Sequence, residues 1–174
     1  MRALALGALL LLTGCLGTPP GVEPVGNFEA QRYLGTWYEI ARLDHVFERG
    51  LDGVTATYTM NDDGSVRVLN RGYRAQKSEW AQAEGVARFV DDDSTGHLKV
   101  SFFGPFYASY VVFELDQDYE YAFVSGFNNS YLWLLARTPE VSAELRERFV
   151  QRAGELGFAV DELLFVDQGR NLAP

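Results

Sequence analysis

The chain has 174 residues, of which 47% are hydrophobic and 22% charged, a composition that fits one packed domain and excludes a disordered chain. Its formal net charge of −9 argues against nucleic acid as a partner and against binding to anionic membranes through a basic patch. The single cysteine excludes structural disulfides, and with only two histidines we expect no Cys/His metal site. Both histidines, His45 and His97, are expected at the surface.

The first residues have the pattern of a secretory leader. Arg2 precedes an apolar run over residues 3–12, which is about half the ~20 residues that span a bilayer. The run ends in Leu12-Thr13-Gly14-Cys15, which resembles the lipobox of bacterial lipoproteins, where the cysteine is acylated and the leader removed. We therefore predict a signal peptide over residues 1–14 and lipid attachment at Cys15. Leu16 stands where an Asp would retain such a lipoprotein at the inner membrane, so the resemblance favours the outer membrane.

Residues 15–27 are rich in proline and glycine, which favours a tether between the anchor and a folded domain at 28–174.

Short runs of strand-forming residues follow the tether. They predict eight strands, at residues 36–43, 53–61, 65–75, 81–91, 97–103, 109–116, 120–127 and 131–137. The sequence Asn61-Asp62-Asp63-Gly64 is a hairpin signal because Asp-Gly tolerates the backbone angles of tight turns. An all-β, antiparallel up-and-down barrel is favoured, and the pattern alone leaves a sandwich open. Eight strands enclose room for about one small ligand.

One helix is predicted after the last strand. Thr138 is a candidate N-cap, Pro139 suits the first helical position, and Gly157 is placed to end the helix. The preceding run, residues 131–136, is apolar on both faces. We expect the helix to cover the outside of the barrel at that strand.

Three sequence elements, in order, resemble the signatures of the lipocalin family. The run over residues 35–42, which begins Gly35-Thr36-Trp37, resembles the opening Gly-x-Trp signature. Asp118-Tyr119 resembles the second element with Gln117 in place of the usual Thr, and Arg137, which ends the run over residues 131–137, resembles the third. The resemblance covers roughly residues 27–167. Together with the lipobox it extends to the bacterial outer-membrane lipocalins and apolipoprotein D. It implies that Trp37 plugs the closed end of the barrel and that Arg137 stacks across it.

The resemblance and strand parity also suggest ligand contacts. Tyr58, Asn70 and Trp133 match pocket positions in the apolipoprotein-D-like lipocalins and lie on inward faces. Parity alone adds an apolar wall of Phe89, Val100, Phe102, Phe113, Phe123 and Leu135. For each of these, packing away from any ligand is an equal alternative. Phe106 and Tyr107 belong to a loop that lies either near the mouth or in an ordinary turn.

The leading hypothesis is a non-enzymatic, lipid-anchored protein without a cofactor. It binds a fatty acid or lysophospholipid for transport, storage or maintenance of envelope lipids, at the periplasmic face of the outer membrane. Two alternatives stay open: a structural envelope protein with a filled barrel, and a lipocalin-type enzyme, for which the sequence offers no catalytic constellation. The oligomeric state is left open.

Overall fold

The computed structural model describes residues 16–172, which form a closed antiparallel barrel. The barrel strands are β1 Gly35–Leu43, β2 Leu51–Met60, β3 Val66–Arg74, β4 Glu79–Phe89, β5 His97–Phe103, β6 Phe106–Leu115, β7 Tyr121–Ser125 and β8 Leu132–Ala136. Each strand pairs with the next, and β1 pairs with both β2 and β8, so the sheet closes on itself. The predicted up-and-down barrel is confirmed, and the sandwich alternative is wrong. Closure protects strand edges that would otherwise pair with other chains.

Short elements complete the described chain. A ninth strand, β9 Leu163–Phe165, pairs with the C-terminal end of β1, residues 41–43. This strand was not predicted. The α-helices are α1 Ala30–Tyr33, α2 Ala143–Glu155 and α3 Gly169–Leu172, and 3-10 turns lie at Ala75–Lys77 and Val160–Glu162. Between residues 16 and 172, none of the helices has both the length and the apolar character needed to span a bilayer.

The predicted start of the C-terminal helix is wrong by several residues. Thr138 donates its hydroxyl to the Glu140 carbonyl and forms a turn instead of a cap. The cap is Ser142, whose hydroxyl accepts from the Leu145 amide at 3.2 Å. The predicted end is confirmed: Gly157 has a φ of 78°, and the next amide bonds back to the Ala153 carbonyl at 3.1 Å.

Helix α2 covers the outer face of the barrel, as predicted. Its buried side chains are Phe149 and Ala153. Phe149 meets Phe123 of β7 edge to face at 4.9 Å, and Phe158 after the helix stacks on Phe113 of β6 at 6.3 Å. This outer cluster therefore buries β6, β7 and β8 on both faces.

The segment predicted as a tether, residues 15–27, is partly docked on the barrel. Val22 is buried in the outer cluster. The Val25 amide donates to the Val112 carbonyl, and the Gly96 amide donates to the Val25 carbonyl, both at 2.8 Å. A Cβ on Gly96 would lie 2.8 Å from the Val25 side chain, so this approach requires glycine. Cys15 and the predicted signal peptide lie outside the described residues.

Candidate ligand-binding site

The barrel encloses a cavity of about 630 Å³ whose walls are mainly apolar. The cavity opens at one end, called here the mouth, beneath the loops over residues 44–50, 75–78, 104–105 and 126–131. Cavities of ~300–1,000 Å³ accommodate drug-sized or lipid ligands in proteins. A barrel with this interior does not fit the filled-barrel alternative.

The opposite end is sealed around Trp37. Its side chain is fully buried, and the indole nitrogen donates to the Tyr33 carbonyl at 2.8 Å. The Arg137 guanidinium lies 3.9 Å from the centre of the Trp37 ring and donates to the carbonyls of Arg32, Thr36 and Tyr119. Stacking of this kind contributes ~0.5–2 kcal/mol. The structure thus places both predicted closure residues at the closed end.

Three tyrosines form the floor of the cavity. The Tyr110 hydroxyl lies 2.7 Å from that of Tyr33 and 2.9 Å from that of Tyr58. Burial raises the pKa of all three phenols above its ordinary value, so they stay neutral at physiological pH. Tyr58 lines the cavity as predicted, but its hydroxyl is engaged within the protein. Tyr33 and Tyr110 were missed, although Tyr110 shares its strand parity with Ala108 and Val112.

Six further predicted residues face the cavity: Asn70, Phe89, Val100, Phe102, Trp133 and Leu135. Asn70 occupies the middle of β3, and its side-chain oxygen is buried without a hydrogen-bond partner among residues 16–172. A buried acceptor of this kind is destabilising unless something donates to it. Contact of these residues with a ligand remains a proposal.

The predicted inward orientation of Phe113 and Phe123 is wrong. Both pack in the outer cluster under α2, whereas Val112, Ala122 and Val124 face the inside. The reason is that β6 and β7 carry consecutive apolar residues, because the helix buries their outer face as well. Without alternation of apolar and polar residues, the sequence does not reveal which set points inward.

A group of polar side chains near the mouth, called here the mouth cluster, was not predicted. It comprises Glu39, Arg42, His45, Glu48 and Trp133. Glu39 and Arg42 are both 3% exposed, and their side chains meet at 2.7 Å. Trp133 donates its indole N–H to Glu48 Oε2 at 3.1 Å, and His45 Nε2 lies 2.9 Å from the same oxygen. Glu48 therefore joins the β1–β2 loop to the barrel wall.

The two carboxylates of the mouth cluster differ in acidity. Burial, followed by the neighbouring Glu48, raises the pKa of Glu39 despite its pairing with Arg42. Burial also raises the pKa of Glu48, but the close approach of His45, the bond from Trp133 and the charge of Arg42 lower it overall. Glu48 is thus the more acidic carboxylate of the pair.

His97 is buried and the His45 side chain is 9% exposed, so neither histidine has the surface position that was predicted. His45 belongs to the mouth cluster, and His97 lies 3.2 Å from the Ser109 hydroxyl. Burial lowers the pKa of His97. Nothing in their local sequence marks them as buried, because their partners come from distant parts of the chain. No group of three or more metal-ligating side chains occurs within residues 16–172.

Comparison with known proteins identifies the class that this fold and cavity define. Residues 28–168 match the model of the Lipocalin-like domain family, and the chain belongs to the lipocalin family. It is 58% identical to the outer membrane lipoprotein Blc of Vibrio cholerae, over 91% of this chain and 94% of that protein. It is 49% identical to the outer membrane lipoprotein Blc of Escherichia coli K12, over 95% and 94% of the two chains.

More distant matches agree with this class. Apolipoprotein D of Rattus norvegicus is 34% identical over 74% of this chain and 71% of its own. The structure of insecticyanin from the tobacco hornworm Manduca sexta superposes with a TM-score of 0.69 at 19% identity, covering 87% of this chain and 86% of that one, which shows the shared fold. The lipoprotein relatives confirm the predicted subfamily and the predicted localisation, lipid-anchored at the outer membrane. Attachment through Cys15 and the periplasmic face stay predictions.

Proposed function

We propose that the barrel binds one single-chain lipid, a fatty acid or lysophospholipid, and serves the transport, storage or maintenance of envelope lipids. The observation that carries this proposal is the apolar cavity of about 630 Å³, sealed at one end and open at the other. An acyl chain fits such a space with its tail toward the tyrosine floor and its polar head toward the mouth.

The hydrophobic free energy gained by burying an acyl chain is large enough for binding. Burying ~300–400 Å² of apolar surface gains roughly 7–10 kcal/mol before the cost of association. After that cost, micromolar affinity is the expected order of magnitude.

The rim of the mouth supports exchange with a membrane. Val46, Phe47, Phe103 and Phe106 are between 69% and 74% exposed, and they lie on the β1–β2 loop and at the β5–β6 turn. Exposed apolar side chains gathered at an opening are typical of an interaction surface. We propose that this rim contacts the bilayer to which the predicted acyl anchor at Cys15 holds the protein, so that a lipid passes directly into the cavity. Phe106 and Tyr107 both border the mouth.

We further propose a binding protein in preference to an enzyme. The polar groups on the cavity floor, the hydroxyls of Tyr33, Tyr58 and Tyr110, bond one another, and burial keeps them neutral. Neutral, mutually paired phenols are poor general bases at pH 7.

Native mass spectrometry of the full chain in a mild detergent, with oleate or oleoyl lysophospholipid added, tests the proposed function. One bound lipid is expected at saturation. Ala83 lies opposite Asn70 on the cavity wall, so Ala83→Phe should weaken binding, whereas Glu84→Phe on the outer face should leave it unchanged. Absence of saturable binding to every lipid, or equal binding by both variants, would contradict the proposal.

A further inference from the structure

We propose that Asn70 is a specificity-determining residue that recognises a hydroxyl group on the acyl chain of the ligand, so that the cavity prefers hydroxylated acyl chains to plain ones. The inference rests on the proposed function, because it assigns a chemical class to the buried part of the same ligand. The recognised group lies along the hydrocarbon chain inside the barrel and is separate from the polar end of the lipid at the mouth.

The first argument is the hydrogen-bonding state of Asn70. This residue lies in the middle of β3 and borders the cavity, and its side-chain oxygen is buried without a hydrogen-bond partner among residues 16–172. Nearly all buried polar groups in proteins are paired, so an exception inside a binding cavity indicates a partner that arrives with the ligand. The tyrosine hydroxyls of the floor differ, since they bond one another.

The second argument is that the neighbouring wall offers Asn70 no donor. Its partners on the two adjacent strands are Ala56 of β2 and Ala83 of β4, whose methyl groups do not hydrogen-bond. Tyr58, two residues beyond Ala56 and on the same face of β2, has its hydroxyl 2.9 Å from that of Tyr110. The two small alanine side chains also leave space for a ligand beside the amide.

The third argument is the kind of group that satisfies this oxygen. An amide oxygen only accepts, so its partner must donate, and an ionised carboxylate or an ester does not. An ammonium donates, but its charge is costly to bury among apolar side chains. A water molecule needs ~2–4 polar partners to stay in a protein interior, and the alanines opposite Asn70 provide none. A hydroxyl on the lipid is neutral, donates one hydrogen and is held in place by its own carbon chain.

The position of Asn70 indicates where on the acyl chain this hydroxyl belongs. Asn70 pairs with Ala56, and Tyr58 on the floor lies two residues further along β2, toward the closed end. Two residues of strand span ~7 Å. Because carbon–carbon bonds of ~1.5 Å follow a zigzag, this distance corresponds to about five or six bonds of an extended chain whose methyl end rests on the floor. The hydroxyl is therefore expected nearer to the methyl end than to the carboxyl end.

The test compares oleate with two isomers that each carry one added hydroxyl. In 12-hydroxyoleate the hydroxyl is six carbons from the methyl end, and in 2-hydroxyoleate it is beside the carboxylate. Each isomer is offered to the full chain in mild detergent with an equal amount of oleate, and native mass spectrometry measures the ratio of the two complexes. We expect a preference of about fivefold for 12-hydroxyoleate, the size of one net hydrogen bond, and of less than about twofold for 2-hydroxyoleate.

The variant Asn70→Leu removes the acceptor and keeps the size of the side chain. The hydroxyl of 12-hydroxyoleate is then buried without a partner, so the preference should reverse to at least about threefold in favour of oleate. The matched control is Thr59→Val, which removes an exposed hydroxyl from β2 and should keep the preference of the unmodified chain. A preference for 12-hydroxyoleate that survives in Asn70→Leu would overturn the inference.

The measurements on the unmodified chain test the inference even if Asn70→Leu does not fold. Equal binding of oleate and 12-hydroxyoleate, or the same preference for both isomers over oleate, overturns hydroxyl recognition at Asn70 and leaves the proposed lipid-binding function standing. Absence of saturable binding by all three fatty acids and by oleoyl lysophospholipid overturns both proposals.

Discussion

The two ends of the barrel handle buried polar groups in opposite ways. At the closed end, the Trp37 indole, the Arg137 guanidinium and the tyrosine hydroxyls all bond within the protein. At the mouth, His45 and Arg42 keep buried nitrogens without partners within residues 16–172. The Glu39 carboxylate pairs with Arg42, whereas that of Glu48 meets His45 and the Trp133 indole. Satisfied networks make a structure rigid, whereas unsatisfied groups are available to a ligand. We therefore expect substitutions at the closed end to cost more stability than substitutions at the mouth.

The largest expected effect comes from breaking the closed end. Trp37→Ala removes a fully buried side chain together with its stacking partner for Arg137, and it should lower the free energy of unfolding by about 3–5 kcal/mol. Urea denaturation measures the change. The control is Trp80→Ala on the outer surface, where the indole is 37% exposed and a smaller loss is expected. A loss below about 1 kcal/mol at Trp37 would contradict its role as the plug.

Removal of the Tyr110 hydroxyl, the central one on the cavity floor, should cause the second largest loss of stability. Tyr110→Phe leaves the hydroxyls of Tyr33 and Tyr58 without their shared partner, at a cost of about 1–3 kcal/mol. Tyr131→Phe at the mouth is the matched control and should change stability little. If urea denaturation gave the same loss of stability for Tyr110→Phe and Tyr131→Phe, the hydroxyls at the closed end would not be more important for stability than those at the mouth.

The same tyrosines predict how stability depends on pH. Their pKa is raised in the folded state, so their contribution is fully present below the unfolded pKa of about 10 and is lost as the pH rises above it. Absorbance at the phenolate band should therefore show a group of tyrosines that ionises together with unfolding. Ionisation of every tyrosine near pH 10 without loss of structure would contradict the buried floor.

The smallest effect on stability is expected at the rim. Phe47→Ser combined with Phe106→Ser should leave the free energy of unfolding within about 0.5 kcal/mol, because both side chains are exposed. The rate of lipid uptake from vesicles should fall about tenfold, since Phe insertion contributes to membrane contact. Phe165→Ser, on β9 and 48% exposed, is the control. If the rate of lipid uptake did not change, the rim would not take part in lipid exchange with the membrane.

The sequence predicted the barrel well where one face of a strand is polar. In β3 and β5 the alternation of apolar and polar residues placed Asn70, Val100 and Phe102 on the cavity wall. It failed at Phe113 and Phe123, because α2 buries the outer face of their strands and removes the alternation. The start of α2 was also wrong, since Thr138 and Ser142 are both good caps and only one is used.

The mouth cluster was beyond prediction for a different reason. Glu48 and Trp133 are 85 positions apart and meet only because the β1–β2 loop folds over the mouth. Local periodicity does not reveal where a loop places its side chains. The closed end was predictable because Trp37 and Arg137 belong to sequence signatures, whereas His45 and Glu48 lie in the β1–β2 loop outside those signatures.

The most direct test of the contrast between the two ends is a crystal structure of the chain with oleoyl lysophosphatidylethanolamine bound. The acyl terminus should lie against Tyr58 and Tyr110 on the floor, and the headgroup should lie at the mouth, beneath the β1–β2 loop. A lipid bound outside the barrel, or inside it with the headgroup on the tyrosine floor, would contradict the account.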